Sequence, residues 1–108
     1  MTQPVRVCQV TVTIGDRVAA LALARSAVEA RLAACGQVGG PITSVYRWQG
    51  AVEEAEEWTV VFKTTVDRYQ ALERFVKEHH SYDVPEILCG PVVDGNPDYL
   101  AWVGESIN

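Results

Sequence analysis

Two adjacent imidazoles, His79 and His80, are the histidines of this chain, and neutral imidazole is a common ligand for copper, zinc and nickel. Their spacing limits what they can do together. Adjacent residues on a helix point about 100° apart, since a turn takes roughly 3.6 residues, and on a strand they point to opposite faces. A chelating pair on a helix prefers four-residue spacing. His79 and His80 therefore share one ion only in an irregular segment, or each serves a separate site completed by another subunit. The plainer reading is a helix C-terminus, where a positive imidazole is welcome near exposed carbonyls.

Other chemistry-bearing types are sparser. Glu53, Glu54, Glu56 and Glu57 form either a loose site for hard cations or, more simply, a solvated bend that blocks edge aggregation. Cys8, Cys35 and Cys89 are an odd, widely spaced set, the usage of a reducing cytoplasm rather than a disulfide framework. No cysteine has a histidine or acid at a recognisable motif spacing, and there is no phosphate loop or nucleophile elbow. The chain is expected not to be an enzyme.

Charge excludes two partner classes. The formal net charge is −5, with no cluster of Lys or Arg to neutralise nucleic-acid phosphates or to seek an anionic membrane. The N-terminal Met1 to Arg6 lacks the regions of a signal peptide, and no apolar run approaches the roughly 20 residues that span a bilayer. A cytoplasmic protein of one domain, residues 1–108, is expected, large enough for a core without disulfides.

The elements that must position these residues follow from periodicity. Val5 to Ile14 alternates, with Cys8, Val10, Val12 and Ile14 on one face, and reads as a strand. Asp16 caps a helix from Arg17 to about Ala34, with Val18, Leu21, Ala24, Val28, Leu32 and Cys35 as its buried stripe and Gly36 as its stop. Ile42–Gly50 and Trp58–Thr65, both rich in β-branched and aromatic residues, read as the arms of a long hairpin around the acidic bend. Its edges invite pairing with another chain. Asp67 opens a second helix, with Gln70 in a weak capping box and Tyr69, Leu72, Phe75 and Val76 inward. A strand over Ile87–Val93 and a helix begun by Asn96-Pro97 end the chain. This order predicts an α+β fold: a ferredoxin-like βαββαβ sandwich with an antiparallel sheet, a long central hairpin and a C-terminal helix.

Five segments carry a resemblance: Ala30 to Cys35, Ile42 to Gly50, Lys63-Thr64, His79 to Glu86, and Gly95 to Trp102. In this order and spacing the chain resembles the CutA family, the divalent-cation tolerance proteins. The resemblance implies a homotrimer whose hairpins reach across to neighbouring subunits. It also implies tolerance to copper and other divalent metals, with Cu2+ or another divalent metal as ligand, His79 and His80 as the matching histidines, and no organic cofactor. The trimeric plan is similar to that of the PII signalling proteins, so the alternative is a PII-like regulatory trimer binding a small ligand or a partner protein.

In some family members a first-strand cysteine is a proposed copper ligand; that position falls on Val12 here, and Cys8 lies four residues, roughly 13 Å, away. With first and last strands antiparallel, Cys89 is expected nearer Val12 than Cys8, so a Cys8–Cys89 pair is not expected. All three cysteines are read as buried small hydrophobes. Tyr46, Trp48, Lys63, Tyr82 and Glu86 form the candidate interface pocket: aromatic walls with one cation and one anion, suited to a small anionic or zwitterionic ligand where subunits meet. The simpler reading makes them interface anchors.

Overall fold

The computed structural model describes residues 6–108; the start of the expected first strand, Val5, and the N-terminal segment through it lie outside the described residues. Strand β1 (Val7–Ile14), helix α1 (Arg17–Glu29), β2 (Cys35–Trp48), β3 (Ala51–Thr65), α2 (Tyr69–His79), β4 (Ile87–Pro91) and α3 (Pro97–Ser106) follow in order. The sheet is antiparallel in the spatial order β2-β3-β1-β4, the ferredoxin-like arrangement that the element order predicts. Cys8, Val10, Val12 and Ile14 of β1 are buried with Val60 and Phe62 of β3, against α1 and against Leu72 and Val76 of α2. Val7, one residue out of phase, belongs with Ala34, Val103 and Ile107 to a second cluster under α3.

Helix α1 keeps Ala24 of the expected stripe inward but turns Val18, Leu21 and Val28 out. Ala20, Leu23, Ala24 and Ala27 are buried, whereas Val18 is 72% exposed and Leu21 and Val28 are also exposed. Close approach explains the choice. A Cβ on Gly36 of β2 would lie 3.0 Å from the Cβ of Ala24 and 3.2 Å from the ring of Phe62. Only a face of small residues lets the helix settle that near the strand, and it gains a denser core in exchange for leaving Val18 in water. The Asp16 carboxylate caps α1 by accepting a 2.9 Å bond from the Ala19 N–H, as expected.

The stop of α1 is not Gly36. Arg31 takes the left-handed conformation, φ 59°, and the N–H groups of Arg31 and Leu32 return to the carbonyls of Val28 and Ala27, each at 3.0 Å. This pair of bonds is a Schellman closure with arginine in the usual glycine position. At α2 the expected box of Asp67 and Gln70 does not form: a short turn of 3-10 helix, Val66–Arg68, leads in, and no side chain caps either start.

The hairpin is longer than its arms suggested, and the acidic segment is not its bend. Gln49 and Gly50, with φ of 49° and 83°, make the two-residue turn between Trp48 and Ala51, the geometry that matches strand twist. Glu53, Glu54, Glu56 and Glu57 are strand residues of β3. Between Gly39 and Ile42 the register shifts; Gly40 and Pro41 together oppose Trp58, a bulge that tolerates a residue without an N–H.

Candidate functional site

The distal hairpin sorts its side chains by parity. Cross-strand partners share a face, so the register pairs Trp48–Ala51, Tyr46–Glu53, Ser44–Ala55 and Ile42–Glu57 set rings and carboxylates on one side. Glu54 and Glu56 fall on the other. Small residues, Ser44 and Ala55, lie midway between Tyr46 and Glu57. Over this floor passes the segment from Ser81 to Glu86, and between them is a cleft of about 680 Å³, within the range of small-molecule sites.

His80 holds that segment in place. Its Nε2 lies 2.7 Å from the carbonyl of Thr13, and its Nδ1 accepts the N–H of Tyr82 at 3.1 Å. A carbonyl only accepts, so the proton sits on Nε2 and both ring nitrogens are engaged. The imidazole also leans on the Tyr82 ring, with centroids 4.7 Å apart. Tyr82 in turn donates its hydroxyl to Glu57 at 3.0 Å. Glu57 is only 7% exposed. Burial, and then the Glu57 carboxylate that holds its proton, push the Tyr82 phenol up to about 12. Gly15 makes room for this contact: a Cβ there would come within 2.9 Å of the Tyr82 hydroxyl.

His79 behaves differently. Its ring stacks on Phe75 with centroids 4.2 Å apart, and Nδ1 lies 2.8 Å from the Phe75 carbonyl one turn back. The proton is therefore on Nδ1, and Nε2 is presented on an exposed surface. An imidazole fixed through one nitrogen by a carbonyl, with the other left open, is the usual posture of a metal ligand. The two histidines do not converge. Among the described residues no group of three His, Cys, Asp or Glu side chains is placed to hold a metal ion.

Of the five expected pocket residues, Tyr46, Trp48, Tyr82 and Glu86 line the cleft, and they do so within a single chain. Lys63 of the same chain does not line it. It pairs with Cys35 and Gln9, six residues and roughly 20 Å along β3 from Glu57, and its ammonium donates to Gln37. In its place Glu53, Glu57 and Asp83 join the lining. The signal for two of them was in the sequence: Glu53 and Glu57 are an even number of residues apart, so one face of a strand carries both.

A family model described as CutA1 divalent ion tolerance protein matches residues 8–106. The chain belongs to this family. The divalent-cation tolerance protein CutA of Thermus thermophilus is 41% identical over 97 residues, 90% of this chain and 94% of the relative. Among solved structures, CutA1 from Oryza sativa is similar with a TM-score of 0.93 at 37% identity, covering 97% of this chain and 96% of the other. The solved Cut A1 structure from Thermus thermophilus reaches a TM-score of 0.90 at 40% identity, covering 93% of this chain and 97% of the other.

Within this CutA1 fold the cysteines divide. Cys8 is fully buried, Cys35 half-buried with its sulfur 3.6 Å from the Tyr99 hydroxyl, and Cys89 exposed, so the buried reading holds for Cys8, in part for Cys35 and not for Cys89. Cys89 lies opposite Val10, diagonal to Cys8 and Val12 alike rather than nearer Val12. Burial, then the neighbouring Cys89 side chain, push the Cys8 thiol up to about 12, so Cys8 is held as a neutral thiol. Val12 offers no ligating atom and is buried. No helix of the described residues is long and apolar enough to cross a membrane.

Proposed function

We propose that this CutA1 chain is a one-domain subunit of a cytoplasmic homotrimer that contributes to divalent-cation tolerance by binding Cu2+ or another divalent metal, without catalysing a reaction. The observation that carries the metal reading is the open Nε2 of His79, fixed through Nδ1 to the Phe75 carbonyl. One imidazole makes a weak site, so the remaining ligands come from water or from another subunit. His80, with both nitrogens engaged, is a positioning residue.

Self-association is supported by the hairpin. Strand β2 is an edge of the sheet and runs 14 residues, and Ile42, Val45, Trp48 and Val52 are exposed. The subunit extends 53 Å along one axis but 25 and 22 Å along the others, so the hairpin projects beyond its own core. Such an edge is normally covered, here by copies of itself.

Copper titration followed by calorimetry tests the metal site. His79→Ala abolishes binding and His80→Ala retains it; a His79→Ala protein that binds copper as the parent does overturns the reading. Light scattering after size exclusion gives three chains per particle, and a monomer at micromolar concentration overturns the assembly. A second reading, a PII-like trimer that binds a small ligand, is favoured by the cleft under Tyr82.

A further inference from the structure

Two free thiols converge within one chain. Cys8 and Cys89 stand on neighbouring antiparallel strands, Cys8 opposite Pro91 and Cys89 opposite Val10. Cross-strand partners share a face, so Cys89 projects from the side of the sheet on which Cys8 and Val10 meet the helices. The two cysteines are diagonal neighbours there, and Cys89 is the hydrogen-bond partner that, after burial, does most to raise the Cys8 thiol. Tyr69, at the start of α2, lies near enough to both sulfurs for them to act on its phenol. This proximity is set by the β1–β4 register and does not depend on what covers the sheet edges in an assembly.

The span between the strands decides what can join the sulfurs. Diagonal neighbours hold their Cβ atoms roughly 7 Å apart, whereas a disulfide needs about 3.8 Å. Direct oxidation would therefore require the strands to shift. Two metal–thiolate bonds, each about 2.3 Å in zinc sites, lengthen the bridge enough to fit the register as it stands. The number of ligands then selects the metal. Among the described residues no group of three His, Cys, Asp or Glu side chains is placed to hold an ion, so tetrahedral Zn2+ lacks its set. Hard cations call for oxygen ligands. Soft thiolates select Cu(I), and this d10 ion is satisfied by two sulfurs on opposite sides.

We propose that Cys8 and Cys89 form a two-coordinate site for a soft monovalent cation of the Cu+ class. The cation bonds to both sulfurs while each thiol releases its proton to solvent. Two neutral thiols and Cu+ thus become one bis-thiolate complex of charge −1 and two protons, and nothing is oxidised or reduced. A thiol held protonated is a poor nucleophile, so the buried partner stays inert until the ion displaces its proton. The site is separate from His79: the helical rise from Tyr69 to His79, the two ends of α2, is roughly 15 Å. It goes beyond the divalent-metal reading and does not rest on it.

Anaerobic titration of the full chain with Cu(I) against a chromophoric Cu(I) chelator tests this, with ascorbate keeping the copper monovalent. One Cu+ binds per chain, and X-ray absorption at the copper edge finds two sulfur neighbours. Cys8→Ser and Cys89→Ser each weaken binding by at least about a hundredfold, while Cys35→Ser and His79→Ala change it less than about twofold. Cys89 is not part of the buried core, so its variant and the two-sulfur spectrum decide the matter if Cys8→Ser fails to fold. Absence of Cu+ binding overturns the proposal, and so does a Cys89→Ser protein that binds as the parent does. A stoichiometry of one Cu+ per two chains also overturns it, since Cys89 thiols of two copies then share the ion. Equal weakening by Cys35→Ser has the same force, because it means indiscriminate capture by thiols. His79→Ala keeps its Cu+ affinity while losing Cu2+, which separates failure of this site from failure of the divalent one.

Discussion

The Tyr82 hydroxyl lies 3.0 Å from the buried carboxylate of Glu57 and donates to it. These residues stand 25 positions apart, one on the segment after α2 and one in the middle of the long hairpin. Their bond ties the segment to the strand, and both residues line the cleft. Because the acceptor is charged and nearly buried, the bond carries more weight than one between exposed neutral groups.

Tyr82→Phe removes the hydroxyl that Glu57 accepts. Its expected cost is about 1–3 kcal/mol, measured as a lowered urea midpoint at unchanged slope. The double variant Tyr82→Phe/Glu57→Gln tests the coupling: it loses less than the sum of the two single losses, and simple additivity counts against the pair acting as a unit.

Three groups have pKa values raised to about 12: Tyr82 and Tyr69 from an ordinary 10.0, and Cys8 from 9.0. For Tyr69 the causes are burial, then its hydrogen bond with Glu73. Each binds its proton more tightly in the folded chain. Their contribution to stability is therefore complete below the unfolded values of 9–10 and is lost as pH rises through about 12, so the protein unfolds on the alkaline side of this window. Spectrophotometric titration at the phenolate band checks it: Tyr69 and Tyr82 ionise late. Glu57→Gln brings Tyr82 back toward 10, and a titration curve identical to the parent's refutes the assignment.

Gly15→Ala is a separate probe of the same contact. The new methyl group meets the Tyr82 hydroxyl at 2.9 Å, and a side-chain tip moves more easily than backbone. The expected result is a small change in thermal stability together with earlier ionisation of Tyr82. A large loss of stability with unchanged ionisation contradicts it.

Gly40 is a harder position. Its φ is +135°, and an added Cβ would lie 2.9 Å from Trp58 Cδ1 and 3.1 Å from both the Glu57 carbonyl and the Trp58 Cα. Backbone cannot yield as a side chain does, so Gly40→Ala costs about 1–3 kcal/mol and loosens the bulge. Gly50→Ala, at φ +83° with open space around it, isolates the conformational part and costs about 1–2 kcal/mol. Chemical denaturation of both variants measures the difference, and a Gly40→Ala loss no larger than that of Gly50→Ala argues against the clash.

Removing the α1 cap by Asp16→Ala lowers stability by about 0.5–2 kcal/mol, since the Ala19 N–H then loses its acceptor. Asp16→Asn restores most of the loss, because an amide oxygen accepts equally well. Amide exchange in the first turn of α1 reports the change locally.

Period-two patterns were readable where one face of a strand meets the core, as in Cys8, Val10, Val12 and Ile14. The apolar hairpin arms, the Asp16 and Asn96 caps and the inward residues of α2 were readable for similar local reasons. The face of α1 was not. Several of its positions are apolar or small, so periodicity admitted two stripes that share Ala24, and the close approach of the helix to Gly36 favoured the one rich in alanine. Nor did charge locate the hairpin bend: a strand that projects into water tolerates glutamates, and the sharp turn went to Gln49-Gly50, where positive φ is available.

The candidate site divides the same way. Element order predicted the ferredoxin-like fold, the resemblance of five segments pointed to the CutA family, and residue types marked Tyr46, Trp48, Tyr82 and Glu86 as candidates. Tertiary structure decided that within one chain Lys63 stands apart from them, that Glu53 and Glu57 join them, and that His80 is spent on Thr13 and Tyr82 while His79 stays open. The reason is physical. Secondary-structure periodicity depends on neighbours a few residues away, whereas a cleft and a tautomer depend on which distant groups the packed sheet and the returning segment bring within hydrogen-bond reach.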